Sequence, residues 1–267
     1  MVRRKGHPFR AVFREDPLGW SKIETDGYGA GYVGAIHKRE LEGRRCRFAN
    51  EVICGRIAQS LLLPCPPFAI TFFESQTEVR IKNEMLFSSL DFDYERDSSP
   101  PPDFDACYER LPELCAGILA FDILVANPDR VRRNIWCDDT VEPTRLLIFD
   151  HDYGLLGDDT EGVGRIQAIR SSNSLGLHFG NEGANHHPFL ERIDSARLFD
   201  RWYKKMRLLP RWFIEQTVRD AKAYRIDKAE SDAVAELLLH RARNIEGIIE
   251  ANKAAFPRIL DWQGFLQ

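Results

Sequence analysis

Apolar residues recur at helical spacing in five stretches of the chain. In each stretch, apolar positions follow one another every three or four residues, and prolines end or begin several of the runs. The predicted helices cover 48–63, 111–125, 189–206, 210–224 and 228–253. In the last helix we expect a core stripe at residues 234, 237, 238, 241, 245, 248 and 249.

Shorter apolar runs predict strands. Residues 21–39 are typical of two strands joined by a Gly-rich turn, and residues 68–73 and 79–82 are predicted to form two further strands. A second hairpin is predicted between 135–137 and 145–149. Strands are thus concentrated before residue 90 and helices after it, which predicts an α+β fold.

Two segments lack any periodicity. The stretch 91–105 is acidic and rich in Pro and Ser, which is typical of an exposed connector. The stretch 157–185 is rich in Gly, Ser and Asn, and we expect a functional or mobile loop there. The first 20 residues fit a strand or an arm equally well.

Composition narrows the class of protein. With 267 residues, 11% aromatic and 29% charged, the chain can bury a full core as one domain of two lobes or as two small domains. The net charge of −4 does not favour nucleic acid as a direct partner. No apolar run of about 18 residues predicts a membrane span, and the six dispersed cysteines indicate buried thiols in a reducing cytoplasm.

Three polar side chains between 121 and 155 point to phosphoryl transfer. Asp129 lies in a loop after an apolar helix, Asn134 follows five residues later, and Asp150 ends the hairpin that comes next. The protein-kinase catalytic loop has the same aspartate-to-asparagine spacing, followed by a metal-binding aspartate. Asp129 is therefore the candidate catalytic residue, and Asn134 and Asp150 are candidate Mg²⁺ ligands.

Each of these candidates has an alternative. Asn-Pro-Asp is a common turn composition, so Asp129 taken alone fits a turn residue. Asp152 competes with Asp150 as the second ligand, but Asp150 directly follows the apolar strand. His151 is expected to support the loop through hydrogen bonds, since Mg²⁺ prefers oxygen ligands.

Glycines in the first predicted hairpin are candidate phosphate-binding positions. Gly27, Gly29 and Gly31 lie close together in sequence, and glycine lets backbone N–H groups approach anionic oxygens. The alternative is a tight turn that needs glycine only for its positive φ.

The chain resembles the HipA-like kinases, in particular their short single-unit branch, over about residues 25 to 250. The resemblance rests on Asn50-Glu51 in the first helix, on the run LLLPCPP, and on the phrases FDILVANPDRVRRN and LLIFDHDYGLL. It implies a protein-kinase-like bilobal fold that binds ATP and Mg²⁺ in the cleft. The implied lobes are a small β-rich N-lobe with one helix at 1–90, a connector at 91–105 and a larger, mainly helical C-lobe at 106–267.

The resemblance also assigns roles. Asp129 matches the catalytic aspartate, Asn134 and Asp150 match the metal ligands, and Glu51 matches the glutamate that pairs with the ATP-binding lysine. In the family that lysine lies on a strand shortly after the Gly turn, whereas here Ala35 stands at its position. Lys38 can replace it if a bulge at Gly34 turns its side chain to the same face.

These observations predict an ATP- and Mg²⁺-dependent phosphotransferase, of the Ser/Thr protein kinase type. A second hypothesis, motivated by Ala35, is a pseudokinase that binds nucleotide or a partner without turnover. A third is a small-molecule kinase of the antibiotic-phosphotransferase type. The expected partners are a protein substrate or a small hydroxyl acceptor, with a regulatory protein as a further candidate and no membrane.

Overall fold

The structure is a computed structural model that describes most of the chain. The described residues are 9–12, 20–25, 29–34, 38–73, 84–90, 103–138, 140–158, 160–177, 186–221 and 226–262. No helix among them is long and apolar enough to cross a membrane.

A five-stranded antiparallel sheet forms the first part of the structure. Its strands follow the spatial order β1-β2-β3-β5-β4, and α1 lies in sequence between β3 and β4 and packs against β5. The strands are β1 (Phe9–Val12), β2 (Trp20–Thr25), β3 (Gly29–Gly34), β4 (Phe68–Phe73) and β5 (Glu84–Leu90). The prediction of β4 is confirmed. The strand predicted at 79–82 lies outside the described residues.

Helix α1 (Lys38–Ser60) begins ten residues before its predicted start at Phe48. The first ten residues, KRELEGRRCR, are mostly charged and carry no apolar stripe that could mark them as helix. From Cys46 to Leu61 the apolar side chains of α1 and of the turn after it join the core, as the periodicity predicts.

Six further helices follow α1 in the described residues, and one of them, α3, is buried around its whole circumference from Cys115 to Leu124. Such an apolar helix needs neighbours on all sides, and α5, α7 and the turn at Ala196–Phe199 supply three of them. The helices are α2 (Phe104–Arg110), α3 (Pro112–Leu124), α4 (Gly162–Ser172), α5 (Asp200–Arg207), α6 (Arg211–Ala221) and α7 (Lys228–Ala251).

Several predicted boundaries in this part are wrong. The loop predicted at 157–185 contains α4, and the helix predicted at 189–206 is reduced to α5 and the 3-10 turn before it. Helix α7 begins with a capping box in which Asp227 accepts from Glu230 N. The predicted core stripe of α7 is confirmed, including the buried Arg241.

A two-stranded hairpin lies in sequence between two of the candidate site residues, Asn134 and Asp150. Strands β6 (Ile135–Asp138) and β7 (Arg145–Ile148) pair antiparallel, with Ile135 opposite Ile148. This register brings the residue before β6 and the residues after β7 to the same end of the hairpin.

The sequence predicts free thiols for all six cysteines, and the structure differs for two of them. Cys107 on α2 and Cys137 on β6 form a disulfide, which links two elements that are 30 residues apart in sequence. Among the described residues, the other four cysteines are free and at least partly buried, as predicted.

Candidate functional site

The loop between α3 and β6 brings two of the predicted residues together. Asn134 Nδ2 donates to the backbone O of Asp129 at 2.7 Å and to its Oδ2 at 3.2 Å. Asn127 Oδ1 accepts from the Asp129 N–H at 3.1 Å, so the loop holds this aspartate from both sides. The Asp129 side chain stays 21% exposed and can meet a molecule from solvent.

Asp150 lies beside this loop because the hairpin returns to its starting point. Phe149 N donates to Asn134 O at 3.3 Å, and Asp150 is the next residue. Its backbone is left-handed, with a φ of 60°, a conformation that costs a non-glycine residue free energy and is often found at functional sites. Its Oδ1 is buried and makes no hydrogen bond among the described residues.

The carboxyl groups of Asp150 and Asp152 lie within hydrogen-bonding reach of each other. Burial and then the charge of Asp150 raise the pKa of Asp152 from 3.8 to about 8. Burial also raises the pKa of Asp150, and the negative charge of Asp129 acts in the same direction. The three aspartates therefore repel one another, and a cation placed among them would relieve that repulsion.

The pKa of Asp152, raised by burial and then by the Asp150 charge, predicts that the protein loses stability as the pH rises. Folded Asp152 keeps its proton up to a pKa of about 8, whereas the unfolded chain releases it near pH 3.8. The folded state therefore binds more protons between these values, and the free energy of unfolding falls as pH rises through them. Without Mg²⁺, we expect urea unfolding to show a loss of about 1–2 kcal/mol from pH 6 to pH 8.

The variant Asp152→Asn is the control for this pH effect. It removes the Asp152 titration but leaves those of Asp150 and Glu51, so its stability should change less than that of the wild type between pH 6 and pH 8. Equal slopes for the variant and the wild type would contradict the assigned pKa.

A buried ion pair supports the loop from beneath. Arg130 donates from Nε to Asp122 Oδ2 at 3.0 Å and from Nη2 to Asp122 Oδ1 at 3.1 Å. Arg130 Nη1 also donates to the backbone O of Asn134 at 2.9 Å and to that of Phe149. Both side chains are fully buried, so this arginine fixes the backbone on either side of the two candidate metal ligands.

Two histidines complete the buried network in their neutral form. His187 Nδ1 accepts from Phe189 N at 3.2 Å, which leaves Nε2–H to donate to Asp122 at 3.2 Å. His151 Nδ1 accepts from Arg130 at 2.6 Å, and burial together with the Arg130 charge lowers the pKa of His151 to about 3. The expected supporting role of His151 is thus what the contacts indicate.

Glu51 of α1 reaches the same loop. Its Oε1 accepts from the backbone N–H of His151 at 3.0 Å, and its Oε2 is buried and makes no hydrogen bond among the described residues. Burial, and then the charges of Asp150 and Asp152, raise the pKa of Glu51 well above its ordinary value. The predicted partner, a lysine, is absent from its hydrogen bonds and ion pairs within the described part of the chain.

The candidate lysine Lys38 does not fit its predicted role. It is the first residue of α1, not a strand residue, and Glu51 follows thirteen residues later in the same helix. A rise of 1.5 Å per residue places their Cα atoms about 20 Å apart, which is beyond the reach of an ion pair. The prediction that Lys38 and Glu51 pair is therefore wrong.

The predicted Gly turn is also different from expectation. Gly29 and Gly31 belong to β3, where they pair with Thr25 and Ile23 of β2, and Gly31 also pairs with Leu90 of β5. They are strand residues and not members of a turn. Gly27 lies outside the described residues.

Sequence reasoning missed several side chains that shape the site. Arg47 of α1 donates to Asp152 Oδ2 at 3.3 Å and contacts Tyr153. Asn50 of the same helix forms hydrogen bonds with three backbone groups of the loop after Asp150. Asp122 was treated only as part of an apolar helix. The contacts of Arg47 and Asn50 join residues that are about a hundred positions apart, so no local pattern could have indicated them.

The oxygen atoms around Asp150 suit a hard cation. The hydrogen bonds of Asn134 use its amide nitrogen, and its carbonyl oxygen accepts no hydrogen bond among the described residues. Amide and carboxylate oxygens are the ligands that Mg²⁺ prefers, usually one or two of them together with phosphate oxygens. In the described part of the chain, no three His, Cys, Asp or Glu side chains form a complete metal cage by themselves.

Comparison with solved structures shows a likeness in fold to a known kinase. A crystal structure of CtkA, a proinflammatory kinase of Helicobacter pylori, is similar with a TM-score of 0.58 over 94% of this chain and 95% of that chain. The fold is kinase-like. The two sequences are 13% identical, so the likeness concerns the fold alone. No protein-family model and no curated protein matches the chain.

The kinase-like fold agrees with the α+β class predicted from the sequence, in a chain that combines a five-stranded sheet with a larger set of helices. The narrower resemblance to the HipA-like family remains a prediction.

Proposed function

We propose that this protein is a phosphotransferase that moves the γ-phosphoryl group of ATP to a hydroxyl group. The observation that carries the proposal is the meeting of Asp129, Asn134 and Asp150 at one end of the β6–β7 hairpin in a kinase-like fold. Phosphoryl transfer needs little covalent participation by the protein, and positioned carboxylate and amide groups beside a divalent cation supply most of what it requires.

Asp129 would orient the acceptor hydroxyl. Its carboxylate is partly exposed, while Asn127 and Asn134 fix its backbone and side chain. A carboxylate in this position accepts the hydroxyl proton late in the transfer, because a loose transition state needs only a weak base. Arg133 Nη2 lies 3.4 Å from Asp129 Oδ2 and places a positive charge beside that carboxylate.

Asn134 and Asp150 would hold Mg²⁺ through Oδ1 of each residue. When bound, Mg²⁺ supplies positive charge to the β- and γ-phosphate oxygens of the nucleotide. Arg130 fixes both ligand positions through the backbone oxygens of Asn134 and Phe149, so the ligands would need little reorganisation.

The expected arrangement is a small lobe at 1–90 and a larger lobe at 106–267, with the connector at 91–105 and the nucleotide between the lobes. We further propose a Ser or Thr hydroxyl of a protein as the acceptor. The sequence resemblance to HipA-like kinases supports this choice over a small molecule.

A pseudokinase is the second candidate, and a specific observation favours it. Glu51 has no lysine partner among its described contacts, and Ala35 stands where the sequence resemblance places the ATP-binding lysine. Without that cation, the α- and β-phosphates lose a usual contact. Nucleotide binding can then persist while turnover is lost.

One pair of measurements tests the proposal. Calorimetry with ATP and Mg²⁺ measures binding, and incubation with γ-labelled ATP, alone and with protein acceptors, measures transfer. Binding together with transfer supports the phosphotransferase. Binding without transfer supports the pseudokinase, and no Mg²⁺-dependent binding contradicts both.

A further inference from the structure

The segment 150–157 contains an unusual amount of left-handed backbone. Asp150, Leu155 and Gly157 have φ values of 60°, 47° and 65°. Two of these residues carry a Cβ, so the conformation costs free energy and persists only where surrounding contacts fix it. The contacts that fix this segment therefore determine where the Asp150 carboxylate points.

Asn50 of α1 makes three of those contacts. Its Nδ2 donates to the backbone O of Asp152 at 2.7 Å and to that of Gly157 at 2.9 Å, and its Oδ1 accepts from Leu156 N at 3.3 Å. The side chain is completely buried. One amide group thus joins the middle and the end of segment 150–157 to the helix.

The residues on either side of Asn50 along α1 strengthen the same connection. Glu51 accepts from the backbone N–H of His151 at 3.0 Å, directly after Asp150. Arg47, one turn earlier, donates to Asp152 and stacks on the Tyr153 ring at 3.9 Å from its centroid. Helix α1 therefore contacts the segment at its beginning, its middle and its end.

We infer that Asn50 is a positioning residue of the candidate metal site: it locks α1 to segment 150–157 so that Asp150 keeps its left-handed, ligand-presenting conformation before nucleotide binds. This inference rests on the proposed function in one respect, since it takes Asp150 to be a metal ligand. It deepens that function by naming a residue that holds the metal-binding segment in place.

The chemistry of the three contacts explains why an asparagine is required. Two partners are carbonyl oxygens, which need a donor, and the third is an N–H group, which needs an acceptor. Only a side-chain amide offers two donors and an acceptor within this short reach. An aspartate has the same size but would place a carboxylate oxygen against two carbonyl oxygens.

The first test uses hydrogen exchange on the protein without nucleotide. In Asn50→Ala we expect the amides of His151, Gly154 and Leu155 to exchange at least about 10-fold faster, although none of them is bonded to Asn50. Amides in the middle of α7 serve as the internal reference for global stability. Faster exchange at Leu156 alone would overturn the inference, because the substitution would then affect only the amide that loses its acceptor.

A matched control and a second variant make this test decisive. Asn252→Ala also removes an asparagine that donates to two backbone oxygens, at 3.0 Å and 2.8 Å, but far from the segment, and it should leave these amides unchanged. If Asn50→Ala fails to fold, Asn50→Asp preserves the volume and should give the same loosening. Protection equal to wild type in Asn50→Asp would also overturn the inference.

The second test measures metal binding. We expect the Mg²⁺ concentration at half-saturation for ATP binding to rise about 10-fold or more in Asn50→Ala, as for residues that orient metal ligands. An unchanged Mg²⁺ requirement, with normal binding by wild type, would overturn the positioning role. If wild type itself shows no Mg²⁺-dependent ATP binding, the proposed function fails, and the exchange measurement still decides whether Asn50 locks the segment.

Discussion

Replacing Asp129 with asparagine should abolish phosphoryl transfer while leaving nucleotide binding nearly unchanged. Asparagine keeps the size of the side chain and an oxygen that can accept from Asn134 Nδ2, so the loop geometry is preserved. It cannot accept the hydroxyl proton, and loss of such a group typically costs about 10²- to 10⁴-fold in rate. We expect kcat to fall by this factor in a labelled-ATP assay, with the Kd for Mg²⁺-ATP changed less than about 3-fold.

Asp232→Asn is a suitable control for this experiment. Asp232 lies on the exposed side of α7 in an ion pair with Lys228, outside the candidate site. Its substitution should leave both transfer and binding at wild-type values. Equal losses of binding and transfer in Asp129→Asn would show that Asp129 serves the loop structure and not the acceptor.

Replacing Arg130 with methionine should be among the most destabilising single changes in the protein. Burial alone would raise the pKa of Asp122, but the Arg130 charge and the His187 hydrogen bond outweigh it and lower this pKa to about 2. Without the arginine, Asp122 remains a buried charge with only neutral partners. Removing one member of a buried pair costs about 3–5 kcal/mol, which urea unfolding would detect.

Two further variants separate charge from packing in this experiment. Arg133→Met removes a neighbouring arginine that is 61% exposed, and should cost less than about 1 kcal/mol. The double variant Asp122→Asn/Arg130→Met lacks the buried charge of Asp122. Its free energy of unfolding should therefore exceed that of Arg130→Met alone. A loss below about 1 kcal/mol in Arg130→Met alone would contradict the assigned role of the pair.

The parts of the structure with local sequence signals were predictable. The apolar stripe of α7 and the strand β4 are visible as periodicity or as an apolar run. The contact between Asp129 and Asn134 follows from a spacing of five residues within one loop. Asp150 could be placed beside them because a hairpin returns the chain to its starting point.

Other parts depend on contacts between distant segments and gave no such signal. The first ten of the 23 residues of α1 are mostly charged, so their helical state is not marked by an apolar stripe. That error left Lys38 on a strand and suggested a partner for Glu51 that helix geometry excludes. The contact between Glu51 and His151, and the left-handed backbone of Asp150, depend on α1 meeting segment 150–157.

The central claim is that Asp129, Asn134 and Asp150 form an Mg²⁺-dependent nucleotide site, and one calorimetric titration tests it most directly. ATP is titrated into wild type and into Asp150→Asn, each with and without Mg²⁺. The account predicts that Mg²⁺ strengthens ATP binding to wild type by at least about 10-fold and that Asp150→Asn loses most of this gain. Binding of ATP to wild type that is equal with and without Mg²⁺, or an undiminished Mg²⁺ effect in Asp150→Asn, would contradict it.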